Sequence, residues 1–257
     1  MENRKGARRM QDIPQSVLEV LNQGLLPTVN LVEWLAIDQK QVLQSVLPLA
    51  YHAPLLKAIE QSKNQSALTL IKLIGTELAQ MEQSEELFTF LKQHKADIPR
   101  CWAAIMVGQT PSSLDLMLQN IAPFAVDEHF GVREIAWLSV RPSILEHPEQ
   151  AFQILLPWTL SEDPYIRRFT SEATRPKGVW CKQFEWIQKK PTTALPLLDN
   201  LQADPSKYVQ DSVANWLNDL SKTNPIFVQD VCKQWQENNP KSKATTYIIR
   251  RALRSLK

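Results

Sequence analysis

Val132-Arg133-Glu134-Ile135-Ala136, Ile166-Arg167-Arg168-Phe169-Thr170 and Val209-Gln210-Asp211-Ser212-Val213 are three variations on one theme. Each opens on a β-branched residue and follows an acid a few positions upstream, Asp127, Asp163 and Asp204 in turn. The first two run on to an arginine-proline pair, Arg141-Pro142 and Arg175-Pro176. The motifs are 34 residues apart (132 to 166) and then 43 apart (166 to 209).

A period near 40 built on an aspartate, a β-branched residue and a small core residue is the mark of HEAT-like helix pairs. One such pair cannot bury its own apolar stripe, so neighbours stack into a superhelical solenoid with a concave surface. The expectation is an all-α, HEAT-like helical-repeat solenoid with a concave basic face. Working outward, Ile13 to Leu21, Leu43 to Leu56, Leu68 to Met81, Leu87 to Leu91 and Leu114 to Phe124 carry apolar residues at three- and four-residue spacings. Asp163-Pro164, Asp204-Pro205, Asn224-Pro225 and Thr110-Pro111 each put a capping side chain before a proline, which predicts four helix starts. No linker rich in Ser, Gly or Pro divides the chain, so residues 1–257 read as one domain. Only six glycines are present, too few for a β-rich fold or a phosphate-cradling loop.

The net charge of +2 makes no global case for nucleic acid, but the distribution is uneven. Pro164 to Lys190 holds seven basic residues against two acids, and Lys241 to Lys257 holds six against none. Arg4, Lys5, Arg8 and Arg9 add a basic N-terminal arm. Such clusters predict a patch, or else solvated helix faces. Cys101, Cys181 and Cys232 are odd in number and widely spaced, which argues against disulfides and against zinc. With no apolar stretch of membrane-spanning length and no apolar signal core, a cytoplasmic location is expected.

Few residues carry chemistry. Ser212, Asn215 and Asp219 share a polar face of a helix beginning near Ser206. Asp219 reads equally well as a carboxylate holding a basic residue of a neighbouring repeat. Glu172, four residues after Arg168, reads as a helix-surface ion pair. His52, His94, His129 and His147 show no metal-binding spacing and read as surface or capping residues, so neither a metal nor a cofactor is expected. GxSxG, GxxxxGK[ST] and GxGxxG are all absent.

The stretch Ile166-Arg167-Arg168-Phe169-Thr170-Ser171-Glu172-Ala173-Thr174-Arg175-Pro176 with Trp180 carries a family resemblance. So do Asp204-Pro205-Ser206-Lys207-Tyr208-Val209, Ser212-Val213-Ala214-Asn215-Trp216-Leu217-Asn218-Asp219 with Lys222 and Pro225, and the ending Ile248-Ile249-Arg250-Arg251-Ala252-Leu253-Arg254. From Val132 onward the chain resembles the AlkC branch of the AlkC/AlkD-type DNA alkylation repair proteins, HEAT-like glycosylases that remove cationic alkylated bases. The resemblance implies a catalytic carboxylate at Asp219 and a base-facing indole at Trp180. It implies a further glutamate where this chain has Trp137, within Ile135-Ala136-Trp137-Leu138-Ser139-Val140-Arg141-Pro142. Glu134, one helical turn earlier, is the acid placed to compensate, and Trp137 is itself a candidate base platform or pocket plug. The implied partner is double-stranded DNA, alkylated or not, held by a monomer through phosphate contacts from Arg167, Arg168, Arg175, Lys177, Arg250, Arg251 and Arg254. A protein-interaction scaffold is the rival reading, since that is the commonest use of helical solenoids.

Overall fold

The computed structural model describes residues 4–178 and 181–256, and among them every regular element is helical. In order these are α1 (Gln15–Asn22), α2 (Leu31–Ala36), α3 (Gln39–Val46), α4 (His52–Gln61), α5 (Ala67–Ala79), α6 (Ser84–Lys92), α7 (Asp97–Gln109) and α8 (Leu114–Ala125). There follow α9 (Phe130–Glu146), α10 (Pro148–Leu155), α11 (Pro164–Ala173), α12 (Glu185–Lys189), α13 (Leu195–Leu201), α14 (Lys207–Leu220), α15 (Pro225–Asn238) and α16 (Lys243–Ala252). The chain forms two compact units, residues 1–112 with 127–139 and residues 113–126 with 140–257, so the division falls inside α9. Among the described residues no helix is long and apolar enough to cross a membrane.

The first unit is organised around α7, which is buried from Asp97 through Val107 and carries Cys101, Trp102, Ala103 and Ala104 at 0% exposure. A helix buried on all sides has no polar face, so its sequence lacks the amphipathic period by which the other helices are legible. α5 packs on it through Gly75, where an added Cβ would lie 2.8 Å from the Trp102 carbonyl oxygen. Gly108 likewise lets the end of α7 meet the α9 backbone at Ser139. In the second unit α11, α14 and α16 pack in sequence, with Trp216 wholly buried and donating its indole N–H to the Thr174 carbonyl at 3.0 Å.

The helix starts follow the sequence in part. Asp163 caps α11 by accepting from Tyr165 N at 2.7 Å, with Pro164 in the first position, and α15 begins at Pro225. Thr110-Pro111 starts nothing: Thr110 closes α7, and α8 begins at Leu114, whose cap is Ser113. Pro205 precedes the helix by two residues: the Asp204 carboxylate accepts from Ser206 N (2.8 Å), as Asp163 does from Tyr165 N, but Ser206 takes the capping position of α14. The apolar run from Leu43 to Leu56 is broken at Pro48. The residue before a proline is driven out of the helical region, and Leu47 is extended at φ −91°, ψ 149°.

The repeat acquires a physical meaning in the fold. Arg100 donates Nε and Nη2 to the Asp127 carboxylate (2.8 and 3.0 Å) and Nη1 to the carbonyls of His94 and Lys95. Arg167 does the same one unit on: Nε and Nη2 reach Asp204 (2.6 and 3.0 Å) while Nη1 reaches the Ser161 and Glu162 carbonyls. Arg133 binds the carbonyls of Asp127 and Glu128, and Gln210 binds that of Asp204, each six residues behind as in the other two. Positions 100, 133, 167 and 210 are therefore equivalent. The arginine clips its own turn to the capping aspartate of a later one. Breaking a buried pair by removing one partner costs about 3 kcal/mol, so Arg167→Ala should lower unfolding free energy by that amount in urea titration. Arg167→Lys should recover little, since an ammonium cannot fork.

Candidate functional site

The site is built where α11 meets α14. Ser171 and Ser212 face each other with hydroxyl oxygens 2.6 Å apart, and both are buried. Two residues this small allow close approach of the helices, and they fix the register of the rest of the contact between α11 and α14. Asp219, seven residues after Ser212, is carried to the same side of α14 as the end of α11.

There Arg175 donates Nε and Nη2 to Asp219 Oδ2 (3.1 and 2.6 Å) and Nη1 to Glu172 Oε2 (3.1 Å). Lys222 adds its ammonium to Asp219 Oδ1 at 3.1 Å. Glu172 also meets Arg168 Nη2 at 3.5 Å, and the Arg168 guanidinium sits 4.2 Å over the Tyr208 ring. Glu172 and Asp219 are thus tied through one guanidinium, with side chains only 5% and 9% exposed. Burial works to lower the Arg175 pKa, but attraction to Glu172 and Asp219 and their hydrogen bonds outweigh it, and the pKa is raised. The cluster is a rigid pair of carboxylates whose cations are supplied from within.

Behind it lies Arg141, 1% exposed, the repeat equivalent of Arg175 by its Arg-Pro signature. It donates to the carbonyls of Ala173 (2.8 Å), Arg175 (2.6 Å) and Lys182 (3.3 Å), closing the open end of α11. Its guanidinium also lies 5.7 Å from the Phe184 ring centroid. Burial lowers its pKa, opposed in part by Cys181.

The sequence candidates fall in different places. Asp219 takes the paired role, holding Arg175 of the preceding repeat. Glu172 does pair with Arg168, as its spacing indicates, but it is buried in the cluster rather than on a solvated surface. Four N–H bonds of Arg167 are taken up by Asp204 and two carbonyls, and Arg168 and Arg175 are held by carboxylates. Lys177, Arg250 and Arg254 are exposed, and Arg251 is partly so. Trp180 lies outside the described residues. Trp137 is 3% exposed and donates its indole N–H to Glu134 Oε2 at 2.9 Å. The two form a pair within the first unit.

His129 departs from its surface reading. It is buried, with Nε2 2.8 Å from the Thr28 carbonyl and 3.0 Å from Thr28 Oγ1. Asp97 accepts from Thr28 N and Oγ1, both at 2.9 Å. Nothing in the local sequence could foretell this, since Thr28, Asp97 and His129 come from three distant segments. Among the described residues no three His, Cys, Asp or Glu side chains are grouped to hold a metal.

Comparison with known proteins agrees with this architecture. Residues 69–256 match the family model described as DNA alkylation repair enzyme. The uncharacterized protein YhaZ of Bacillus subtilis (strain 168) is 37% identical over 129 residues, half of this chain but only 35% of that protein's length. The alkylpurine DNA glycosylase AlkC of Pseudomonas fluorescens, solved bound to DNA containing an abasic site analog, superposes with a TM-score of 0.63 at 20% identity. That match takes in 98% of this chain and 65% of AlkC. AlkD2 of Streptococcus mutans gives 0.62 at 20% identity, covering 80% of this chain and 97% of its own. With nearly three quarters of its length matched to the model, on a helical-repeat fold, this chain belongs to the DNA alkylation repair enzyme family.

Proposed function

We propose that the protein binds duplex DNA and hydrolyses the N-glycosidic bond of cationic, N-alkylated bases. The observation that carries this reading is the joining of Glu172 and Asp219 through Arg175, a buried pair of carboxylates in a unit rich in arginine. A base alkylated on a ring nitrogen is already a good leaving group. When the C–N bond breaks, the electron pair neutralises the base, and positive charge develops on the sugar. Preorganised carboxylates stabilise that charge, and water adds at the anomeric carbon and loses a proton. No metal or acid is required for departure. Membership of the family and the glycosylase activity named for AlkC support the reading.

Phosphate contacts are assigned first to Lys177, Arg250 and Arg254, which are exposed, and to the partly exposed Arg251, with Arg168 and Arg175 beside the carboxylates. Arg167 is given the clip role instead. In this reading Trp137 and Glu134 take no direct part, because the indole is buried and satisfied by the glutamate.

The test is release of 3-methyladenine from methylated duplex DNA, run beside a binding titration on the same unmodified duplex. Release above the spontaneous rate is expected. Binding without release would reduce the proposal to DNA recognition alone, and neither signal would leave a helical-repeat scaffold for protein partners.

A further inference from the structure

A cleft of about 330 Å³ opens beside the turn between α15 and α16, lined by Pro240, Lys241, Lys243, Thr246, Tyr247 and Arg250. Three of these are cations and none is an acid. Tyr247 organises the charge around it. Its hydroxyl donates to Asp211 at 2.5 Å, the Lys207 ammonium rests on its ring, and the guanidinium carbons of Arg250 and Arg251 lie 5.5 and 5.6 Å from the ring centroid. A ring face attracts cations, but its charge is formally zero. The only carboxylate in the group is Asp211, which pairs with Lys207 (3.9 Å) and Arg251 (3.4 Å). Lys241, Lys243 and Arg250 have no acidic partner among the described residues.

Like charges gathered within a few ångströms repel by about 1 kcal/mol per pair even in water. Here a phenol and a single carboxylate hold three of them, Lys207, Arg250 and Arg251, with Lys241 and Lys243 lining the same cleft, an arrangement that an arriving anion would complete. The direction of the row matters too. Lys243, Tyr247, Arg250 and Arg254 follow one face of α16 and the turn beyond it over roughly 16 Å. At its far end Arg254 Nη2 bonds to Asn215 of α14, on the helix that carries Asp219. The cleft and the carboxylate pair therefore lie along one track of the second unit.

We propose that this cleft is a second anion site, occupied by phosphodiester groups of the bound DNA, with Tyr247 as its positioning residue. The proposal rests on the duplex-binding reading above and adds a place on the protein that the carboxylate pair does not touch.

The experiment titrates a fluorescent 24-base-pair unmodified duplex between 50 and 200 mM salt against three proteins. These are the wild type, the Lys241→Ala/Lys243→Ala/Arg250→Ala variant, and a charge-matched Lys57→Ala/Lys63→Ala/Lys92→Ala control taken from exposed positions of the first unit. Removing up to three phosphate contacts should make the slope of log affinity against log salt shallower by about 2 to 3 in the cleft variant. The control should retain the wild-type slope. Tyr247→Leu, which keeps every charge and removes the ring and hydroxyl, should move the slope in the same direction as the triple variant. A cleft variant whose slope matches wild type overturns the site while leaving DNA binding intact, and so does a control that loses as much as the cleft variant. Wild type with no affinity for the duplex overturns both readings.

Discussion

Asp219→Asn should reduce release of 3-methyladenine by roughly a hundredfold or more, the scale on which loss of one preorganised electrostatic group is felt. The substitution keeps shape and removes the charge of the carboxylate that holds Arg175 through Oδ2 (2.6 Å) and Lys222 through Oδ1 (3.1 Å). It also leaves Arg175 with Glu172 as its only acid, so unfolding free energy should fall by about 3 kcal/mol. Release must therefore be measured at a temperature where the variant is folded by circular dichroism. Affinity for unmodified duplex should change within a few-fold, since one buried carboxylate contributes no phosphate contact. Equal release by wild type and folded variant would remove Asp219 from the chemistry and leave it a clamp on Arg175.

Gly108→Ala is expected to produce the largest loss of stability from a single methyl. In an unobstructed helix interior the change favours folding by about 1 kcal/mol. Here the new Cβ would meet the α9 backbone at Ser139, 2.8 Å from its carbonyl carbon and closer still to the oxygen. A flexible side chain could give way, but a helix backbone cannot, and overpacking of this kind costs about 3 kcal/mol. The sign is thus reversed. Differential scanning calorimetry should show a melting temperature lower by about 6 to 12 °C, and a rise instead would mean that α7 and α9 are not so closely apposed.

How much of this was legible in the sequence depends on whether a signal is local. The helices with one buried face were visible: α5, α6 and α8 lie within a few residues of the spans their apolar spacing indicates. α7 was not, because a helix buried all round shows no alternation. Proline marked a start where the preceding aspartate was free to cap, as at Asp163. It ran two residues early at Asp204, whose carboxylate takes the Arg167 fork and leaves the capping position to Ser206.

At the site, the polar face carrying Ser212 and Asp219 could be read from spacing, and so could the bond of Glu172 to Arg168. The spacing could not reveal that Glu172 is buried, or that Arg175 joins it to Asp219 across 44 positions of chain. Arg141 had a signal, since its Arg-Pro pair repeats that of Arg175. The repetition marked equivalence, though, and said nothing of the three carbonyls it binds. Among the phosphate candidates, a basic residue in a cluster looks the same in sequence whether its donors face solvent, as for Lys177, or an aspartate, as for Arg167.

The arginine clips have a consequence for how damage spreads. Each fork grips one capping aspartate, Asp127 from Arg100 and Asp204 from Arg167, so the linkages are separate buckles. The pattern changes where Gln210 stands in the equivalent position, with an amide that binds its own turn and no guanidinium to reach onward. Helices beyond that point are fastened by other means, such as Asn218 to the Ala252 carbonyl and Tyr247 to Asp211. These are lighter fittings than a forked charge pair. The seat of α16 on α14 therefore depends on close packing and on these side-chain bonds, and it carries the cationic row of α16. Cutting one buckle should leave the other fastened, whereas a change in the packing of α14 would be felt at once along the whole row of α16.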